Sequence, residues 1–100
     1  MHNRMRPIHP GEILLEEYLK PMDMSANALA TAMDVPANRI SAILSGERGI
    51  SADSALRLSV AFGTTVQFWL NLQQNYELRV EEQNKEHAAQ RKAVRRLIPA

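Results

Sequence analysis

One stretch limits what this chain can fold into more than any other: Ser25 to Gly46, reading SANALATAMDVPANRISAILSG. Ser25 suits the N-cap of a helix whose apolar positions, Leu29, Ala30 and Met33, share one face. Asp34-Val35-Pro36 ends that helix, because proline lacks an amide hydrogen and pushes the residue before it out of helical geometry. A second short helix follows, with Ile40 and Ile43 facing the same core. Helices joined this tightly cross steeply, which needs a small side chain, Ala30, at the contact and lets Val35 plug the corner. The turn carries Asp34 where glycine is usual, and aspartate tolerates the left-handed conformation at some cost. The pattern is a helix-turn-helix.

Once Ile40 and Ile43 face inward, Ala37, Asn38, Ser41, Ala42 and Ser45 lie elsewhere around the second helix, with Arg39 beside them. Short polar side chains let a helix approach base edges in the DNA major groove, where Asn pairs with adenine and Arg with guanine. Asn38 and Arg39 are therefore the expected base readers, with Ala37, Ser41 and Ala42 in the same role. Gly46 can terminate this helix and Ile50 returns the chain to the core, which leaves Arg48 on the loop where the helix meets the phosphate backbone. Ser25, Ser45 and Arg48 are assigned to phosphates.

The other segments frame this unit. Pro10-Gly11 introduces a first helix, EILLEEYLK, with Leu14, Leu15, Tyr18, Leu19 and Met22 as its inward stripe and Pro21 as its end. Ser51 caps a fourth helix, ADSALRLSVAF, helped by Asp53 near its positive end, with Ala55, Leu56, Ser59 and Phe62 inward and Gly63 as its stop. A fifth helix, starting at Thr64 or Thr65 and running through VQFWLNLQQNYELRVEEQ, is apolar nearly all round in its first turns. One core cannot cover every such face, so a second copy is expected against Val66, Trp69, Gln73, Tyr76 and Val80, while Phe68 and Leu72 close the domain's own core, although the pattern does not decide which of Phe68 and Trp69 faces which way. The tail is charge-segregated, acidic before basic, and is expected to prolong the helix and then fray. The chain thus reads as all-α: a helix-turn-helix domain over residues 1–80, including the dimerisation helix, and a charged helical extension over 81–100.

With 100 residues, a second domain does not fit. A net charge of +1 is weak for a nucleic-acid binder, so affinity has to come from a few placed cations, helix-start amides and two copies of the domain. No apolar run approaches the ~18 residues of a membrane helix, no secretory leader is recognisable and cysteine is absent, which together suggest a cytoplasmic protein. His2 and His9 lack a third ligand at metal-binding spacing, and His9 before Pro10 reads as a cap. Adjacent Glu16 and Glu17 diverge by ~100° on a helix and do not share a pocket. No catalytic residue, metal, cofactor or small-molecule substrate is expected.

Taken together, HPGEILLEEYL, VPANRISAILSGERGISADSALRL and FGTTVQFWLNLQ resemble the HigA (VapI) group of antitoxins, within the Xre or lambda-repressor-like helix-turn-helix superfamily. The resemblance covers about His9 to Leu78. It implies a homodimer of five or more helices per subunit that binds palindromic double-stranded operator DNA ahead of its own operon. It also implies neutralisation of a co-encoded RelE-like toxin, an endoribonuclease that cuts mRNA on the ribosome. Asn38 and Arg39 fall in the recognition helix of such proteins, and Phe68 to Gln73 near the dimer surface. Two alternatives are a solitary regulator of the same fold without a toxin partner and a mainly toxin-capping module.

Overall fold

His9 accepts a hydrogen bond from the Gly11 amide at 2.9 Å and Pro10 supplies the preset φ, so the first helix, α1 (Pro10–Ile13), starts ahead of the expected EILLEEYLK segment. The computed structural model describes residues 6–99; His2 lies outside them. α1 continues without a break into a π-helical stretch, Leu14–Leu19, marked by the Lys20 amide donating to the Leu15 carbonyl at 2.9 Å. A wider turn brings residues five apart onto one face, and Leu14 and Leu19 are both buried. Met22, expected on the inward stripe, is instead 53% exposed, because the chain has already left the helix for a turn.

The helix-turn-helix is α2 (Ala26–Met33) and α3 (Ala37–Leu44). Ser25 caps α2 by accepting from the Ala28 amide at 3.0 Å, and Asp34 adopts the expected left-handed conformation at φ 57°. The Val35 amide reaches back to the Ala30 carbonyl at 3.0 Å and the Asp34 amide to Thr31 at 3.2 Å, the paired bonds of a Schellman ending. α3 ends the same way through Gly46, with the Glu47 amide on the Ala42 carbonyl at 2.9 Å. Gly11 sets the seat of α1 on this unit. A Cβ there would stand 1.9 Å from the Ile43 carbonyl oxygen, so only glycine allows the approach.

α4 (Ala52–Phe62) and α5 (Val66–Glu82) complete the core, capped by Ser51 and Thr65. α4 buries Ser54, Ala55 and Leu58, so its apolar face is set about one residue away from the expected one and Leu56 emerges 55% exposed. Trp69 also corrects an expectation. Its side chain is 0% exposed, its indole N–H donates to the Thr64 hydroxyl at 2.7 Å, and its ring packs against Tyr18, Phe62 and Phe68, so it cannot meet a second copy. A large amphipathic ring whose one polar atom finds a partner within the chain is better placed in the core than at a surface.

The rest of the expected dimer stripe divides. Val66 packs partly buried against the core, Gln73 accepts from the Ile50 amide at 2.7 Å, and Tyr76 meets the His9 ring edge-on at 4.8 Å, while Val80 stays exposed. Phe68 and Leu72 pack on the core as expected. α5 stops at Glu82, and α6 (Lys85–Arg91) begins after Asn84, whose side chain accepts from the His87 amide. Glu81 ties α6 back through His87 and Arg91. Among the described residues the protein is all-α, with no strand; the acidic part of the tail is divided between the end of α5 and α6, and Lys92, Arg95 and Arg96 lie beyond the last helix.

Candidate nucleic-acid interface

α3 presents its outer face through burial of the inner one. Ile40 and Ile43 are fully buried, which leaves Ala37, Asn38 and Ser41 exposed together and Ala42 half-buried at the edge. Among the described residues the Asn38 carboxamide has no partner within the chain, so both its donor and its acceptor are open to a base edge. Ser41 turns its hydroxyl toward the Ala37 carbonyl at 3.3 Å and retains acceptor capacity. Pro36 offers no side-chain cap to α3, and the Arg39 amide donates to the Pro36 carbonyl at 3.1 Å.

Arg39 departs from the rest of that face. Its guanidinium reaches Asp53 at the start of α4, Nη1 to Oδ2 at 2.6 Å, and its side chain is only 21% exposed. The same carboxylate oxygen takes Arg57 Nε at 3.0 Å, and Arg57 Nη1 donates to the Met33 and Asp34 carbonyls at 2.8 and 3.1 Å. Arg39 foremost, and Arg57 after it, hold the Asp53 carboxyl below the usual carboxylate range. Only the Asp53–Arg57 half of this cluster, an i,i+4 pair within α4, has a spacing that announces it; Arg39 joins only after the chain has folded around the turn.

The phosphate candidates lie around the recognition helix. Ser25 and Ser45 are exposed, the first holding the start of α2 and the second donating to the Ala42 carbonyl at 3.1 Å. The Arg48 guanidinium forms no ion pair among the described residues and is exposed on the loop after α3. His9 supports that loop from behind. Its Nδ1 caps α1, its ring lies beside the Arg48 backbone carbonyl, and a Cβ at Gly46 would stand 3.9 Å from the ring. Burial pushes the His9 pKa down, and the Arg48 carbonyl and Glu12 only partly restore it.

This architecture and surface have close counterparts. The Helix-turn-helix family model (HTH_3) matches residues 15–69, more than half the chain. Virulence-associated protein I of Dichelobacter nodosus is 56% identical over 84 residues, 84% of this chain and 78% of that protein. Pseudomonas aeruginosa antitoxin HigA with the higBA promoter superposes with a TM-score of 0.86 at 43% identity, covering 93% of this chain and 100% of that one. The chain belongs to the HigA/VapI group of helix-turn-helix proteins. Another structure of the group, antitoxin GraA in complex with its operator, matches with a TM-score of 0.86 and 48% identity over 99% of both chains. Among the described residues of this HigA/VapI-type chain, no group of three or more metal-ligating side chains comes together, and no helix is long and apolar enough to cross a membrane.

Proposed function

We infer that the chain is an antitoxin of a toxin-antitoxin pair, that it binds palindromic operator DNA ahead of its own operon, and that it represses that operon. The observation that carries this reading is the α3 face: Ala37, Asn38 and Ser41 stand exposed and small on a helix held out by the turn, with Arg48, unpaired among the described residues, beside it. The HigA and GraA structures named with promoter and operator DNA support it. The work is done by a homodimer, because one recognition helix reads too few base pairs and two of them enter successive major grooves about 34 Å apart. The dimer contact excludes Trp69 and uses surface that the fold leaves open, Val80 among it. A bound dimer blocks polymerase sterically. The toxin partner is a co-encoded RelE-like ribonuclease, which the chain neutralises by binding.

A titration at fixed salt tests the DNA half of this reading, comparing a duplex from upstream of the protein's own gene with a scrambled duplex. The upstream duplex is expected to bind on the order of 10³-fold tighter or more, and equal affinities would refute operator recognition. The toxin half is tested by co-expression with the neighbouring gene. Relief of growth arrest and co-purification are expected; arrest that persists with abundant folded protein present would refute it.

A further inference from the structure

Five polar groups from three parts of the fold meet near the start of α4. Arg39 comes from α3, Asp53 and Arg57 come from α4, and the Met33 and Asp34 carbonyls are the last of α2 and its turn. The chain of bonds is continuous. Arg39 grips Asp53, Asp53 grips Arg57, and Arg57 grips the carbonyls that α2 leaves unsatisfied at its end. α3 has no side-chain cap of its own, so this is the polar restraint on its first turn, while Ile40 and Ile43 anchor it by burial.

We propose that Arg39 is a positioning residue, which with Asp53 and Arg57 sets the angle at which α3 leaves the turn, and that sequence discrimination rests on Asn38 and Ser41 instead. Two observations separate the roles. Arg39 is 21% exposed and its charge is already matched by a carboxylate, whereas Asn38 is exposed and unpartnered among the described residues. To reach a guanine, Arg39 would have to forfeit a 2.6 Å ion pair and leave the Asp53 carboxylate, itself 51% exposed, to Arg57 alone at 3.0 Å. Keeping the pair satisfies the carboxylate and fixes the helix that carries Asn38. This rests on the reading of α3 as the DNA-recognition helix.

The experiment is a base-preference profile. The wild type, Asn38→Ala, Arg39→Ala, Arg39→Lys, Asp53→Asn and the Arg39→Ala/Asp53→Asn double variant are titrated, at fixed salt, against the upstream duplex and its single-base-pair substitutions, with folding checked by circular dichroism. Arg39→Ala and Asp53→Asn are expected to weaken binding to every duplex by a common factor and to leave the preference at each base pair unchanged. The double variant is expected to match the weaker single variant to within about twofold, since two ends of one ion pair are not independent. Arg39→Lys keeps the charge facing Asp53 and is expected to recover most of the loss. Asn38→Ala is expected to flatten preference at one base pair of each half-site, by roughly five- to a hundredfold. A loss of preference at one base pair in Arg39→Ala that Asp53→Asn does not share would overturn the proposal and make Arg39 a base reader. Absence of any preference in the folded wild type would overturn operator recognition itself.

Discussion

At the scale of single residues, His9 joins more of the molecule than its place beside Pro10 suggested. It caps α1, lies beside the Arg48 backbone carbonyl and meets Tyr76 edge-on. Burial disfavours the charged ring by more than the Arg48 carbonyl and Glu12 favour it, so the folded pKa lies below the ordinary value of 6.5. Between the folded pKa and 6.5 the unfolded chain binds the extra proton, so the His9 contribution to stability is complete above about 6.5 and is lost as pH falls through the folded value. Thermal unfolding from pH 7.5 down to pH 5 should therefore show a decline that His9→Asn flattens; parallel curves would contradict this. Trp69 gives a larger effect. Replacing it with alanine empties the centre of the aromatic cluster and should cost about 3 to 5 kcal/mol in denaturant unfolding, whereas a loss under about 1 kcal/mol would mean that the ring is not packed as described. That burial was only half legible in the sequence. The spacing shows a helix apolar on several faces, but adjacent Phe68 and Trp69 offer no way to say which one goes inside until Thr64 is seen to take the indole N–H.

At the scale of elements, the helix-turn-helix was readable almost residue by residue because each of its signals is local: the Ser25 cap, Pro36, Gly46, and the spacings of Leu29, Ala30, Met33, Ile40 and Ile43. The first and fourth helices were less so. A π-helical stretch changes the period on which pattern reading depends, and in α4 the alternatives Leu56 and Leu58 differ by two positions and look alike to an apolar count. The turn supports a prediction. Asp34 bears the left-handed conformation with a Cβ, while its carbonyl contact to Arg57 is made by backbone, so Asp34→Gly should stabilise the fold by up to about 1 kcal/mol in chemical denaturation. A destabilised variant would show that the aspartate side chain does more than tolerate the turn. The α5–α6 corner supports another. Glu81 is exposed, so Glu81→Gln should leave global unfolding almost unchanged yet speed amide exchange in α6; unchanged exchange would show that α6 holds without its ties to His87 and Arg91.

At the scale of the whole molecule, a net charge of +1 and an operator-binding role are compatible only if cations are arranged and not merely counted. The fold does arrange them. Arg39 and Arg57 share the single Asp53 carboxylate, so that cluster keeps a net positive charge, Arg6 is spent on Glu12, and Arg48 stands free among the described residues at the edge of α3. Arg48→Ala should accordingly weaken all duplexes alike and lower the slope of log affinity against log salt by about one. The interface was legible as a face, through the positions that Ile40 and Ile43 leave outside. The role of Arg39 within it was not, because its partner lies fourteen residues further on and no helical period links the two.

The most direct test of the central claim is hydroxyl-radical footprinting of the DNA upstream of the protein's own gene, with wild type and Asn38→Ala compared at one salt concentration. The account predicts that wild type protects two symmetric half-sites about one helical turn apart and that Asn38→Ala loses this pattern while remaining folded. Absence of a symmetric footprint from folded wild-type protein, or the same footprint from both proteins, would contradict it.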